Sequence, residues 1–142
     1  VNDPAEGVWT YLSDEPATRR FAGGLAVRWT AGDVVLLSGP LGSGKTTFVR
    51  GVLEALGHAG PVRSPTFNLV QTFETVPPVL HADLYRLDSA AGIGLEEAEA
   101  YLCLIEWPDR PGLPFDELAA WRVAIDFQGN GRRVRIRAPG EP

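Results

Sequence analysis

The spacing of apolar positions along this chain changes several times, and each change marks an element. The run VVLLS, Val34 to Ser38, is apolar at consecutive positions. That pattern predicts a strand covered on both faces, as in the middle of a parallel sheet. In KTTFVRGVLEALG, directly after it, Phe48, Val49, Val52, Leu53 and Leu56 form one stripe of helical period, and Gly57 supplies a left-handed stop. Upstream, Val8–Leu12 predicts a short strand, and Ser13 followed by Asp14, Glu15 and Pro16 predicts a helix start with acids in the first turn. Ala17, Phe21 and Leu25 mark one face of that helix, while the paired Gly23 and Gly24 weaken it. Beyond Pro61, NLVQTFET and PVLHADLY predict two strands split by Val76-Pro77-Pro78, and LCLIEW predicts another buried strand. WRVAIDFQ and RRVRIRA read as a pair around Gly129-Asn130-Gly131, a hairpin turn signal. The sum is a three-layer α/β fold with a mixed, mainly parallel central sheet and antiparallel edge strands.

At 142 residues, one domain spanning 1–142 is expected around a single core. A net charge of -5, from 18 acids against 13 bases, weighs against non-specific binding to nucleic acid or an anionic membrane, and leaves room for a local basic patch. A lone cysteine, Cys103, makes no internal disulfide, and two separated histidines give no zinc spacing. With no run of 18 apolar residues, and no signal-peptide pattern in VNDPAEGVW, the expectation is a cytoplasmic protein without membrane association.

The candidate chemistry begins in GPLGSGKTT, residues 39 to 47, which fits GxxxxGK(S/T) between a buried strand and an amphipathic helix. Gly39, Pro40, Leu41, Gly42, Ser43, Gly44, Lys45, Thr46 and Thr47 are the expected cradle for a nucleotide's phosphates. Its glycines allow a bend in which successive N–H groups converge on phosphate oxygens at the positive end of the helix. Lys45 adds a charge on the β and γ phosphates, Thr46 offers a hydroxyl to Mg²⁺, and Thr47 is placed for the α phosphate. Mg²⁺ also needs hard oxygen ligands. Glu106 ends the buried run LCLI at a strand's carboxyl end, where open α/β sheets bind ligands, and Asp83 ends a second strand in HADLYR. These acids suit a metal ligand and a group that orients the attacking water; the alternative for each is a helix cap or a rim ion pair, with Arg86 a partner for Asp83. In VRSPTF, Thr66 or Ser64 can meet the metal and the γ phosphate, or the segment is a Ser-Pro turn opening a strand; the sequence leaves both open.

Taken in order, GPLGSGKTTFVRG, SPTFNLV, HADLYRL and LIEWP resemble the four hallmark segments of the TsaE family, ATPases of bacterial tRNA threonylcarbamoyladenosine biosynthesis. The similarity runs from about Ser13 to Arg137. It implies a P-loop ATPase that uses ATP and Mg²⁺ within an assembly with TsaD and TsaB, reaching tRNA indirectly, while TsaD transfers the threonylcarbamoyl group. By position it implies Lys45 and Thr46 as phosphate lysine and magnesium threonine, Glu106 as second magnesium ligand and Asp83 as the acid needed for hydrolysis. Thr18 is implied near the adenine, Arg132, Arg133 and Val134 on the same side, and Trp107 beside the nucleotide. One departure is LDSAAGIGLEEAEAY between Leu87 and Leu102, shorter than in many relatives, so a helix expected there is trimmed.

Two rival functions share the glycine loop. A small-molecule kinase needs an acceptor pocket and usually a basic lid, yet between Leu84 and Ala100 only Arg86 is basic. The other is a nucleotide-gated binding module that needs no turnover. In RRVRIRA, Arg133, Arg135 and Arg137 alternate with Val134, Ile136 and Ala138, as a charged sheet edge or as a contact for tRNA or an acidic partner. Glu96, Glu97 and Glu99 read as a solvated acidic face, and His81 as structural.

Overall fold

The computed structural model describes residues 8–62, 70–91, 95 and 98–141. Among the described residues, seven strands form one sheet in the order β1-β7-β6-β2-β5-β4-β3. They are β1 (Thr10–Leu12), β2 (Val34–Ser38), β3 (Val70–Phe73), β4 (Val79–Asp83), β5 (Leu102–Glu106), β6 (Trp121–Gln128) and β7 (Gly131–Arg137). The central strands β6, β2, β5 and β4 run parallel. Antiparallel pairing confines itself to the flanks, β7 with β6 and β1 on one side and β3 with β4 on the other. The apolar runs found in sequence are the parallel strands. The hairpin at Gly129-Asn130 joins β6 to β7, as its turn signal predicts.

Helices α1 (Glu15–Ala26) and α2 (Lys45–Ala55) both cover one face of the sheet. Their stripes, Ala22, Leu25, Phe48, Val49, Val52 and Leu53, pack on Val35, Leu37, Leu104, Val123 and Ile136. Each large apolar side chain fully buried there contributes about 1.5–3 kcal/mol. A Cβ at Gly51 would lie 2.5 Å from the carbonyl oxygen of Arg19 and 3.0 Å from the Ala22 Cβ, so glycine sets how closely the helices cross. The cap of α1 is Asp14, one residue later than Ser13, because its Oδ1 accepts from the Ala17 amide at 2.8 Å. Gly23 and Gly24 do not break α1; a Cβ at Gly23 would already lie 3.4 Å from the Ala55 Cβ of α2, and this close packing offsets the lost propensity.

On the other face, Leu36, Leu80, Ala82, Cys103 and Ile105 are covered by Leu84, Ala90, Leu95, Ala98 and Ala120. This third layer, among the described residues, is irregular chain with two 3₁₀ turns, Ala98–Ala100 and Glu117–Ala119. The segment expected to carry a trimmed helix keeps the first of these turns; residues 92–94 and 96–97, with Glu96 and Glu97, lie outside the described residues.

Candidate functional site

The glycine loop leaves the carboxyl end of β2 and feeds α2. Its two demands on backbone fall at Gly44 and Gly39. Gly44 is the N-cap of α2 at φ 110, a left-handed conformation, and no side chain caps the helix. The first amides of α2 therefore point from the positive helix end without an intrachain side-chain acceptor at the cap. Gly39 has φ 149, and a Cβ there would run into the carbonyl of Ile125 and come within 2.8 Å of Ser43 Oγ. Lys45 is only 4% exposed, and its Nζ donates to the carbonyls of Gly39 at 2.7 Å and Pro40 at 3.0 Å. Burial lowers its pKa from the ordinary lysine value, and the charges of Glu106 and Asp83 oppose that shift. A desolvated cation of this kind gains most from an incoming anion.

The acids come from neighbouring parallel strands. Glu106 ends β5, with Leu37 of β2 and Asp83 of β4 as its partners in register. The Thr46 hydroxyl lies 3.1 Å from each Glu106 carboxylate oxygen. On the other side, His81 Nε2 lies 2.6 Å from Glu106 Oε2, with His81 fully buried and Glu106 2% exposed. An ionised carboxylate only accepts, so Nε2 carries the hydrogen there, and the buried Nδ1 has no partner among the described residues. Asp83 Oδ1 accepts from the Tyr85 amide at 3.1 Å. Trp107 has φ 59, a strained conformation for a non-glycine residue. This turn sets its ring 4.1 Å from Lys45 Nζ and 4.7 Å from the Tyr85 ring.

Two clefts flank the loop. One, of about 290 Å³, is lined by Leu41, Lys45, Thr46, Asp83, Glu106 and Trp107 among others. The second, of about 260 Å³, brings Asp14, Thr18, Ser43, Thr47, Asn130 and Arg132 together. Gly42, Gly44 and Thr47 border both. Arg132 braces the loop from β7, donating to the carbonyls of Ser43 at 3.1 Å and Gly42 at 3.2 Å. The two residues grouped with it do not reach the site. Strand alternation turns Arg133 to the opposite face, where it meets Asp126 and Trp9, and buries the Val134 side chain in the core. Thr66 and Ser64 lie outside the described residues.

The model of the family described as "Threonylcarbamoyl adenosine biosynthesis protein TsaE" matches residues 12–135. The chain belongs to the TsaE family. It is 33% identical over 144 residues to the tRNA threonylcarbamoyladenosine biosynthesis protein TsaE of Haemophilus influenzae, covering 94% of this chain and 90% of that one. With the protein of the same name from Rickettsia bellii it shares 43% identity over 106 residues, covering 70% and 74%. Among solved structures, the crystal structure of YdiB from Bacillus subtilis superposes with a TM-score of 0.75 at 27% identity, covering 94% of this chain and 86% of that one. Membership of TsaE ties the chain to threonylcarbamoyladenosine biosynthesis in tRNA. Among the described residues no helix is long and apolar enough to cross a membrane.

The sequence marks His81 only as structural and gives Tyr85 no role. His81 was separable from core histidines by one signal: it alternates with Asp83 on β4 and so shares a face with the carboxyl-end acids. Nothing in sequence gives the diagonal register, His81 opposite Leu104, that carries it to Glu106.

Proposed function

We propose that this TsaE-family chain is a Mg²⁺-dependent P-loop ATPase whose hydrolysis of ATP supports repeated turnover of a tRNA-modifying assembly with TsaD and TsaB. The observation that carries this reading is the Thr46 hydroxyl held against both Glu106 oxygens beside the buried Lys45, at the uncapped N-terminus of α2. The donor set fits Mg²⁺: hydroxyl and carboxylate oxygens are hard ligands, and the ion commonly takes one or two protein ligands with substrate phosphates and water. When bound, the ion would neutralise charge on the phosphates.

The chain's own residues divide the work. Backbone N–H groups of the loop beyond Pro40 and the Lys45 ammonium take the triphosphate in the first cleft, while Thr18 and Arg132 border the second, where the nucleoside is assigned. Asp83 orients a water for attack on the γ phosphorus; the bond from that phosphorus to the β–γ bridging oxygen breaks, and ADP and phosphate leave. Trp107 and Tyr85 wall the cleft against bulk water. Among the described residues, Arg132 is held by the loop carbonyls and Arg110 by those of Leu84 and Tyr85, and neither is placed as an arginine finger. With that stabilisation left to a partner, turnover by the isolated chain is slow.

Phosphate release from ATP tests the reading, with Lys45→Ala and Asp83→Ala beside the parent chain. Release that needs Mg²⁺, is lost in both variants, and leaves ATP binding intact in Asp83→Ala supports an ATPase. A phosphorylated metabolite in place of free phosphate would make it a kinase. Sustained multi-turnover tRNA modification by TsaD and TsaB with Asp83→Ala would make hydrolysis incidental.

A further inference from the structure

Both helices lie on one side of the sheet, and the β1-β7-β6 flank turns a different surface the other way. Strand alternation places Arg133, Arg135 and Arg137 of β7 there, opposite Val134 and Ile136, which enter the helix-side core. The β6 register sets Arg122 beside Arg137, and the β1 register sets Tyr11 beside Arg133. Four of the chain's twelve arginines thus gather on one face of a protein whose net charge is -5.

Their donor capacity is largely unspent. Arg133 reaches Asp126 at 3.4 Å and Arg122 donates to the Glu141 carbonyl; Arg135 and Arg137 make no hydrogen bond or ion pair with a described residue. The Nε atoms of Arg122, Arg133 and Arg135 are buried without partners among the described residues. Two of the guanidiniums sit over Trp9, with the Cζ atoms of Arg133 4.2 Å and Arg135 4.7 Å from its ring centre. The contact limits their movement, and a cation over an aromatic face keeps its charge for an anion. Tyr11 adds a platform: its ring lies against Gly131, where a Cβ would come within 2.7 Å of its hydroxyl oxygen, and the residue is 52% exposed.

We propose that this face binds RNA directly, with the four guanidiniums on backbone phosphates and the Tyr11 ring stacked on a base. Arginines on an open sheet, interleaved with aromatic rings, match both features of single-stranded RNA, its regular negative charge and its base planes. An acidic protein would satisfy the arginines and leave the ring without a stacking partner. The four arginines line neither nucleotide cleft, and Tyr11 touches the second only at its Gly131 rim, so the inference does not depend on ATP hydrolysis.

Fluorescence anisotropy of a labelled, unmodified tRNA transcript titrated with the full chain is the test. Binding is expected with a log–log salt slope of about -3, as for four phosphates of a single strand. Arg135→Glu/Arg137→Glu, and the milder Arg135→Gln/Arg137→Gln, should weaken binding about 10-fold or more and cut that slope by about half. Tyr11→Ala should weaken it about 5-fold or more with the slope kept. Arg19→Glu/Arg20→Glu, the same charge change on α1, should stay within about 3-fold, since exposed charges beyond a Debye length are screened. Equal loss in the α1 variant, or no binding by the parent chain at low salt, overturns the proposal. So does loss of assembly with TsaD and TsaB, rather than of tRNA binding, in the β7 variants, which would make the face a protein contact. Phosphate release run on the same samples separates this outcome from the nucleotide reading: it is unchanged in the β7 variants, and its absence from the parent chain would count against the ATPase alone.

Discussion

Replacing His81 with leucine removes one hydrogen-bond donor from a carboxylate that water barely reaches. The bond broken is the 2.6 Å contact to Glu106 Oε2, and Glu106, 2% exposed, keeps the Thr46 hydroxyl 3.1 Å from both oxygens. One hydroxyl has a single hydrogen to share, so Oε2 is left short. Leucine nearly fills the imidazole's space, and the cost is therefore electrostatic rather than a cavity. Hydrogen bonds to charged groups contribute about 1.5–3 kcal/mol, and breaking a buried pair from one side costs about 3–5 kcal/mol, so about 2–4 kcal/mol is expected here. For a chain of 142 residues this lowers Tm by roughly 6–12 °C, at about 3 °C per kcal/mol. Differential scanning calorimetry measures it, and His81→Gln, which keeps a donor, should lose less. Because His81 also fixes the orientation of Glu106, the Mg²⁺ concentration for half-maximal phosphate release should rise about 10- to 100-fold in His81→Leu, with part of the loss restored in His81→Gln. A His81→Leu chain that melts within about a degree of the parent and keeps its Mg²⁺ requirement would refute the reasoning, since such an effect would be far below the several degrees expected.

Gly39→Ala should be destabilised by about 2 kcal/mol or more and should lose nucleotide binding, because the new Cβ meets the Ile125 carbonyl and the backbone sits at φ 149; thermal melts and an ATP titration check both. Burial pushes the Cys103 thiol up to about 11, so it should resist a thiol reagent at pH 8 in the native chain and react once unfolded in urea. The sign for stability follows: the buried neutral thiol helps fully below the unfolded value of 9.0, and that help is lost as pH rises toward 11, seen as a falling urea midpoint. Lys45 is shifted the other way, so ATP affinity should fall at an alkaline pH below the ordinary lysine value of 10.5, as the ammonium loses its proton.

Much of the fold was legible because its signals are local. The consecutive apolar residues of Val34–Ser38 and Leu102–Glu106, the helical stripe from Phe48 and the Asn-Gly turn each need only a few neighbours in sequence. What escaped depends on partners distant in sequence. Both helices share one face and approach closely at Gly51, and neither helix's own pattern announces that contact. In the site, Lys45, Thr46, Asp83, Glu106 and Trp107 meet in one cleft, as strand ends and the glycine loop suggest. Arg133 does not join Arg132 because adjacent residues of a strand face opposite ways, a rule that the arginine alternation already contained. The left-handed turn at Trp107 has no sequence signal in LIEWP, yet it carries the ring over Lys45.

Calorimetric titration of the chain with ATP, with Mg²⁺ and again with EDTA, shows whether the loop holds a metal-bridged triphosphate. One ATP per chain should bind with measurable heat, more weakly without the metal, and Lys45→Ala and Glu106→Gln should each weaken the metal-dependent part. No heat with ATP and Mg²⁺, or binding that neither substitution alters, would contradict a triphosphate held between the loop's N–H groups beyond Pro40 and a metal on Thr46 and Glu106.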